Sequence, residues 1–413
     1  MIRVFYTVGT WQLLTLTAAL QEAKDQAAMA GDAAPIYEDY LVVYETGGVP
    51  DEFKQILHQM AEVAWPWKRI VSAYDLLTNE RKFSQQRFDA LRAALEERVG
   101  VPADQVEEVW VCFLTRPAEK IVFETYQRAR VVLFEDGLTS YIPVPIAMAL
   151  DNSRRPRLLR PFFVGFQSRM DARWPVWRFR RSRRKLDIQH LARVTGAYLQ
   201  LAPELPAPET LARVPRQFVA YRHLREVLER VARILPDDAA GFGAAESESA
   251  PNRLLVLGQA LSRNGIMTRE EEMDIYLQVF DTLLSKGYQI LWKEHPRIRL
   301  PFFTELKARM KARHQGAEER VQQLSLPHPF PVELVAERLE LAGCVAGTSA
   351  ALFYLRRLYN IPCYTFADAL LPRMKGADVF MGEMVQREAP PLSQLPQLSQ
   401  PPGLQPHPAP AAR

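Results

Sequence analysis

The sequence contains very little cysteine. Only three of its 413 residues are cysteines, Cys112, Cys344 and Cys363, and they are widely spaced without a Cys-x-x-Cys pair. A disulfide-stabilised scaffold or a zinc ribbon needs several cysteines at short spacing. Both classes are therefore excluded, and the composition fits a protein of a reducing compartment.

The sequence also lacks a long apolar run. A helix that spans a bilayer needs about 20 consecutive apolar residues, and no segment reaches that length. Residues 11–20 are the most apolar part of the N-terminal region, but threonine and glutamine interrupt them, and a β-strand pattern precedes them. We therefore expect a cytoplasmic protein with neither a signal peptide nor a transmembrane helix.

Neither positive nor negative charge is in large excess. The formal net charge is +4, with 24% charged and 48% hydrophobic residues, which is typical of a globular protein. A length of 413 residues suits two domains. No nucleic-acid recognition motif accompanies the small basic excess, so we expect no nucleic-acid partner.

Strand and helix patterns alternate in two parts of the chain. Residues 2–8 have a strand pattern, residues 11–27 have helical periodicity, and residues 40–44 have a second strand pattern, which together predict a βαβ unit. The alternation restarts with a strand pattern at 253–257 and a helix pattern at 270–286. The predicted fold class is α/β, with two Rossmann-like domains that face each other across a cleft.

Composition sets the predicted domain boundaries. The first domain covers residues 1–200 and contains a basic insertion at 154–185. A proline-rich linker and a low-complexity, mobile loop cover 201–252, and the second domain covers 253–385. Residues 386–413, rich in proline, glutamine and leucine, are predicted to form a disordered tail.

Two adjacent acids follow a short apolar strand in the first half. Glu135, Asp136 and Gly137 come directly after the strand pattern at 131–134. Ligands of open α/β sheets bind beyond the carboxyl ends of strands, where a carboxylate can act as a general base. A strand-ending turn with two solvated acids explains the same triplet.

A histidine with basic neighbours follows a strand in the second half. The segment 293–297 reads Lys-Glu-His-Pro-Arg, so that His295 and Pro296 are flanked by positive charge. Imidazole can donate a hydrogen bond to a phosphate or protonate a leaving oxygen near neutral pH. The dipeptide alone is weak evidence, because His328-Pro329 and His407-Pro408 repeat it elsewhere.

Small hydroxyl residues follow a third strand. Gly347, Thr348 and Ser349 lie between the strand pattern at 341–345 and the helix pattern at 350–358. Such residues cap a helix, and the same helix N-terminus can bind a phosphate. With the acids in one half and the basic and hydroxyl groups in the other, the arrangement is that of a two-domain glycosyltransferase without a metal.

The three motifs in this order resemble those of bacterial sialyltransferases, and the α-2,8-polysialyltransferase family most closely. The resemblance extends to the stretches VFYTVGTWQLL, LLVLGQALSRNGIMTREEE, YQILWKEHPR, PFPVELV and AGCVAGTSAALF. It covers roughly residues 1–25, 130–142 and 253–366. This family resemblance implies a GT-B fold and an inverting transfer from CMP-sialic acid to a glycan acceptor, with no cofactor and no metal.

The resemblance also implies roles for individual residues. Glu135 matches the first acid of the family motif, the general base, with Asp136 beside it, and the sequence leaves open which one faces the cleft. His295 contacts the CMP phosphate and assists its departure. Thr348 and Ser349 bind the same phosphate, although the family usually has serine at the first of these positions.

The remaining implied site residues surround the nucleotide and the acceptor. Lys293 and Glu333 resemble the residues that bind the cytidine and ribose. The other residues implied at the site are Gly258, Gln259, Pro296 and Gly347 on the CMP side, and Gly9, Thr10 and Gly137 on the acceptor side.

The basic segment at 154–185 contains 12 basic residues and one acid, with Trp174, Trp177 and Phe179 among them. A solvated basic face is the default explanation. The segment can also bind an anionic membrane surface or a polyanionic glycan. On the membrane alternative, the protein is peripheral at the inner membrane.

Other functions remain open from the sequence. The donor can be another CMP-activated nonulosonic acid or Kdo, since the same pocket groups would serve it. A non-catalytic glycan-binding or capsule-assembly protein with the same fold is the alternative from a different class. The acceptor can be of the capsule, lipooligosaccharide or polysialic acid type.

Overall fold

The structure is a computed structural model of the chain. It describes residues 1–31, 36–44, 51–76, 85–112, 117–141, 193–201, 205, 211, 214–235, 252–263, 265–295, 302–313, 317–324, 326, 330–374 and 377–398. The predicted basic insertion at 154–185, the low-complexity part of the predicted loop (236–251) and Pro296 lie outside the described residues.

The first domain is built on a seven-stranded parallel sheet. Its strands are β1 (Ile2–Thr7), β2 (Glu38–Val43), β3 (Arg69–Ser72), β4 (Val106–Val111), β5 (Arg130–Phe134), β6 (Val194–Leu199) and β7 (Arg216–Phe218). Their order across the sheet is β3-β2-β1-β4-β5-β6-β7. Strand β1 is apolar and buried on both faces, as expected where helices cover both sides of a parallel sheet.

Five described helices surround this sheet. They are α1 (Thr10–Met29), α2 (Asp51–Ala64), α3 (Gln85–Val99), α4 (Pro117–Thr125) and α5 (Tyr221–Ala232). The long helix α1 starts directly beyond the carboxyl end of β1, after Gly9. Helix α5 packs against α1 and α2.

The second domain is built on a five-stranded parallel sheet. Its strands are β8 (Arg253–Leu257), β9 (Gln289–Lys293), β10 (Val321–Gln323), β11 (Gly343–Ala346) and β12 (Cys363–Thr365), in the order β10-β9-β8-β11-β12. Its described α-helices are α6 (Arg269–Ser285), α7 (Phe302–Arg313), α8 (Ala351–Tyr359), α9 (Ala367–Leu370) and α10 (Ala377–Glu388).

Each sheet has a switch point at its centre. In the first domain the chain runs from β1 outward to β3 and then returns to β4 on the other side of β1. In the second domain it runs from β8 outward to β10 and returns to β11 on the other side of β8. Loops diverge at such points and leave a crevice at the carboxyl ends of the strands, where ligands of doubly wound sheets bind.

The two domains pack against each other through helix α8. Its buried side chains Leu352, Tyr354 and Leu355 lie in an apolar cluster that spans both domains. Helix α5 of the first domain packs against α8 and against a short 3-10 turn, Val332–Leu334. The predicted α/β class with two facing Rossmann-like domains is therefore confirmed.

Two predicted boundaries are wrong. The segment predicted as linker and mobile loop, 201–252, contains β7 and α5, so that the first domain extends to residue 235. The predicted tail, 386–413, begins too early, because α10 continues to Glu388 and residues 390–398 pack on the second domain. Residues 399–413 lie outside the described residues.

Within the described residues, no helix combines the length and the apolar composition needed to cross a membrane.

Candidate functional site

The loops that follow β8 and β11 are joined by a pair of hydrogen bonds. The Gln259 side chain donates through Nε2 to Thr348 Oγ1 at 3.0 Å, and its Oε1 accepts from the Thr348 backbone N–H at 3.0 Å. Gly347 permits this approach, because a Cβ atom there would lie 2.3 Å from Gln259 Oε1. The hydroxyl and the backbone N–H of Thr348 therefore both bind Gln259. Thr348, predicted at the phosphate, and Gln259, predicted in the nucleotide pocket, thus hold the two loops together.

The start of helix α8 has the features of a phosphate site. Ser349 Oγ accepts from the Ala351 backbone N–H at 3.3 Å, next to Ala350, which occupies the N-cap position without a side-chain cap. In the part of the chain that the structure describes, no hydrogen bond is made by the backbone N–H groups of Ser349 and Ala350. Open N–H groups at a helix N-terminus attract anions.

Strand register brings His295 to the same edge of the sheet. Lys293 pairs with Leu257, and Val256 pairs with Val345 on the other side. The three adjacent strands β9, β8 and β11 end at Lys293, Leu257 and Ala346. Two residues beyond these ends lie His295, Gln259 and Thr348. With strands about 5 Å apart, His295 is about 10 Å from Thr348 in the plane of the sheet.

Two buried groups of opposite charge lie beneath this edge. Lys293 is the last residue of β9. Glu333 lies in the short 3-10 turn Val332–Leu334, and its backbone carbonyl accepts from Tyr359 Oη at 2.7 Å. Burial lowers the pKa of Lys293 to about 8, and the charge of Glu333 opposes that shift. Burial raises the pKa of Glu333 to about 7. The Gly258 N–H donates to the Lys293 carbonyl at 2.8 Å, and this hydrogen bond fixes the loop that follows β8.

The first acid of the predicted motif is enclosed. Glu135 is 1% exposed, and its Oε2 accepts from the backbone N–H groups of Gln200 (2.6 Å) and Leu201 (3.0 Å). Tyr141 also donates to Oε2, and Tyr354 of the second domain donates to Oε1. Burial raises the pKa of Glu135, whereas these hydrogen bonds act to lower it.

The second acid is more open. Asp136 is half-buried, and its carboxylate accepts hydrogen bonds from Gln12 Nε2 and Thr139 Oγ1. Its backbone N–H donates to Ser140 Oγ at 2.7 Å, which fixes the turn. Gln12 and Thr139 both belong to the first domain, and Asp136 lies just beyond the carboxyl end of β5.

Gly137 brings the acid motif close to the start of helix α8. Its φ of +82° is in the left-handed region, which favours glycine. A Cβ atom on Gly137 would lie 3.4 Å from Ala350 Cβ, at the start of α8. The acid motif and the hydroxyl motif of the two domains therefore meet in one cleft.

The predicted acceptor-side residues Gly9 and Thr10 form the start of α1. The Gly9 carbonyl accepts from Leu13 N–H at 3.1 Å and from Thr7 Oγ1 at 3.3 Å, and Thr10 is buried. Helix α1 then carries Gln12 to Asp136. Gly9 and Thr10 are thus close in sequence to Gln12, the group that contacts the acid.

Sequence reasoning missed several residues of this site. They are Trp11, Gln12, Tyr141, Gln200 and Tyr354. Trp11 and Gln12 stand in a stretch that the family resemblance includes, but no pattern in it indicates a contact with residues more than a hundred positions away. Among the described residues, no group of three or more His, Cys, Asp and Glu side chains is arranged to hold a metal ion.

Comparison with solved structures finds similar folds at low identity. TcCGT1 in complex with UDP aligns with a TM-score of 0.52 and 12% identity, over 94% of this chain and 84% of that chain. The GT-B domain of a sialyltransferase from Photobacterium damselae aligns over 93% of this chain and 97% of that chain, with 13% identity and a TM-score of 0.43. A UDP-GlcNAc 2-epimerase from Methanocaldococcus jannaschii, in complex with UDP-GlcNAc and UDP, covers 89% of this chain and 84% of that chain at 12% identity and a TM-score of 0.49.

Comparison of the sequence with protein-family models identifies the family of this chain. No curated protein matches the chain, but the family described as alpha-2,8-polysialyltransferase (POLYST) matches residues 3–367, nearly the whole chain. The two facing Rossmann-like domains are those of a GT-B glycosyltransferase. The chain belongs to the alpha-2,8-polysialyltransferase family and is a glycosyltransferase that transfers sialic acid.

Proposed function

We propose that this glycosyltransferase takes sialic acid from CMP-sialic acid and transfers it, with inversion, to a hydroxyl group of a glycan acceptor. The observation that carries the proposal is the contact between Gly137 of the acid motif and Ala350 at the start of α8. This close approach supports the proposal, because it brings the acid motif of one domain near the start of α8 of the other, as a displacement between donor and acceptor requires.

The donor would bind to the second domain. Its phosphate would accept hydrogen bonds from Ser349 and from the open N–H groups at the start of α8. Lys293 and Glu333 lie beneath the same edge and would bind the nucleoside, as the family resemblance implies. Gln259 and Thr348 would act by fixing the two loops to each other.

Asp136 is the proposed general base. Glu135 already accepts four hydrogen bonds and is closed to solvent, so an acceptor hydroxyl cannot reach it in this arrangement. Asp136 is half-buried at the cleft. It would remove the proton of the acceptor hydroxyl while that oxygen bonds to the anomeric carbon from the face opposite the phosphate.

His295 is the proposed acid at the leaving group. As the bond from the anomeric carbon to the phosphate oxygen breaks, its electron pair stays on the phosphate and CMP departs. The imidazole would donate a proton or a hydrogen bond to that oxygen. Charge develops mainly on the leaving phosphate in such a displacement, so His295 and the α8 amides would stabilise the transition state.

We propose a reaction without a bound metal ion or cofactor, because His295, Ser349 and the amides of α8 supply donors for the leaving phosphate. Full transfer activity in excess chelator is expected. Loss of activity that added Mg²⁺ or Mn²⁺ restores would contradict this part of the proposal.

Purified protein incubated with a panel of nucleotide sugars tests the donor. The expected result is CMP release from CMP-sialic acid, slow alone and faster with a sialylated glycan acceptor. Preference for CMP-Kdo or for another CMP-activated nonulosonic acid would reassign the donor. No turnover of any CMP sugar would identify a non-catalytic glycan-binding protein.

Two substitutions test the assigned chemistry. Asp136→Asn and His295→Ala are each expected to lower the transfer rate by about 100-fold or more. Binding of CMP should change little in Asp136→Asn, because that carboxylate belongs to the other domain. Transfer at the wild-type rate by either variant would remove that residue from the mechanism.

The basic segment at 154–185 is a proposed contact with an anionic membrane surface, which would make the enzyme peripheral at the inner membrane. Each basic residue near such a surface contributes about 1 kcal/mol. Flotation with phosphatidylserine vesicles tests this proposal against a variant in which Arg178, Arg180, Arg181, Arg183 and Arg184 are replaced by glutamine. Equal flotation of both proteins would refute membrane binding through this segment.

A further inference from the structure

Tyr354 connects the two halves of the cleft at a single buried carboxylate. It lies in the first turn of α8, is completely buried, and donates its hydroxyl to Glu135 Oε1 in the first domain. Its ring packs against Trp11 of α1, with the centroids 4.5 Å apart. One side chain of the second domain therefore contacts two separate elements of the first.

Glu135 in turn is fixed to the frame of the first domain. The backbone N–H groups after β6 and the Tyr141 hydroxyl hold Oε2, and the Glu135 carbonyl accepts from Thr15 Oγ1 of α1 at 2.6 Å. Asp136 is the next residue along the chain. Any shift of Glu135 would therefore be passed directly to the proposed base.

The same helix that carries Tyr354 begins at the proposed phosphate site. Ser349 and Ala350 stand five and four residues before Tyr354, about one helical turn away. We propose that Tyr354 is a positioning residue, which binds Glu135 across the domain interface and thereby sets the distance between Asp136 and the leaving phosphate. This inference rests on the proposed function, since it concerns the same cleft.

Tyr141, the second tyrosine that donates to the Glu135 carboxylate, provides a matched control. Tyr354→Phe and Tyr141→Phe each remove one buried hydroxyl from Glu135, but only Tyr354→Phe breaks the link between the domains. We expect Tyr354→Phe to lower kcat for transfer at least tenfold with the KM for the donor unchanged within twofold. Tyr141→Phe should lower kcat less than threefold at a comparable loss of thermal stability.

Conservative replacement of the carboxylate separates positioning from base catalysis. In Glu135→Gln the amide oxygen would stay on the backbone N–H groups of Gln200 and Leu201, and the amide NH2 would donate to the Tyr354 hydroxyl. The link between the domains is then kept, so Glu135→Gln should retain at least a tenth of the wild-type kcat, in contrast to Asp136→Asn. If Glu135→Gln abolished transfer while Asp136→Asn did not, Glu135 would be the base and the positioning role would be refuted.

A second readout is independent of turnover. Hydrogen exchange of the amides at 351–355 should be faster in Tyr354→Phe than in Tyr141→Phe, because the start of α8 loses its anchor in the first domain. Should Tyr354→Phe not fold, Trp11→Leu, which removes the ring beneath Tyr354, serves in its place. Equal hydrogen exchange at 351–355 and equal kcat in the two tyrosine variants would overturn the proposal. If the wild-type protein did not turn over CMP-sialic acid but the two variants still differed in hydrogen exchange, only the proposed donor would be refuted.

Discussion

At the scale of single residues, Lys293 and Glu333 are an unusual pair, since both are ionisable and both are almost closed to solvent. Burial disfavours the charged form of each group. It therefore moves their pKa values toward each other, to about 8 for Lys293 and about 7 for Glu333. Both side chains are ionised together only in the narrow interval between these values.

This pair predicts the pH dependence of donor binding. The pKa of Lys293 lies below its ordinary value of 10.5, so its ammonium charge is lost above about pH 8, where an ordinary lysine keeps it. The affinity for CMP should fall from pH 8 to 9.5, by up to about tenfold per pH unit. The phosphate of CMP titrates near pH 6 and contributes nothing to this decrease.

Calorimetric titration with CMP measures the effect, and Lys293→Met is the control. The variant should bind CMP weakly and should lack the decrease of up to about tenfold per pH unit between pH 8 and 9.5. A smaller change that remains there would report Glu333, whose pKa rises when the lysine charge is removed. A wild-type affinity that stays constant to pH 9.5 would show that the charge of Lys293 is not used for the nucleotide.

The sequence located the site residues better than it assigned their roles. Each of the three motifs follows a strand, and that position alone was enough to place Glu135, His295 and Ser349 at the sheet edges. The sequence could not tell which acid faces the cleft, because Glu135 is enclosed by Tyr354, 219 residues away. Thr348 was expected at the phosphate, but its two polar groups bind Gln259, which no local pattern indicates.

At the scale of elements, helices α6 and α8 start with hydroxyl residues that have different surroundings. Thr268 caps α6 in a reciprocal pair with Glu271, with N–H to oxygen distances of 3.2 and 2.8 Å. Ser349 accepts one longer hydrogen bond, from the Ala351 N–H, at the start of α8, where Ala350 occupies the N-cap position. The first is a cap for stability, and the second is proposed to contact the donor.

Alanine at each of these two positions should separate the two roles. Thr268→Ala is expected to lower the free energy of unfolding by about 1 kcal/mol and to leave the affinity for CMP within twofold. Ser349→Ala should cost less stability, because its hydrogen bond is longer, but should weaken CMP binding about tenfold. Chemical denaturation and calorimetry measure both quantities. Unchanged CMP affinity in Ser349→Ala would mean that the serine only stabilises the start of the helix.

Element prediction succeeded where strands are buried on both faces. The pattern placed β8 with its observed bounds and β5 within one residue, since continuous apolar runs between turn residues mark central strands. It missed β6, and it missed β3, β7, β10 and β12, which are three or four residues long and lie at the sheet edges. Prolines near β7 were read as a linker, although pairing with β6 determines its structure.

At the scale of the whole molecule, the C-terminal segment is part of the second domain. Leu392 and Leu395 are buried, Thr365 N–H donates to the Pro390 carbonyl at 2.9 Å, and Tyr288 Oη donates to the Pro396 carbonyl at 3.1 Å. The proline-rich composition predicted disorder here because it carries no periodicity. These contacts come from the domain surface, which composition does not describe.

Two truncations test the contribution of this segment. A chain that ends at residue 388 should lose about 3–6 kcal/mol of stability, since burial of each leucine contributes about 1.5–3 kcal/mol. A chain that ends at residue 398 keeps every described contact and should unfold like the full chain. Thermal unfolding measures both, and equal melting temperatures for the two truncations would contradict the packing.

Helix α8 packs on β11 and β12 of its own domain and also contacts α5 of the first domain. Its buried side chains lie in an apolar cluster that spans both domains. A chimera that exchanges the second halves of two family members, in order to change the sugar that is transferred, would therefore pair a foreign α8 with an unmatched α5. Hybrid enzymes should fold better when residues 221–232 and 350–359 are inherited from the same parent.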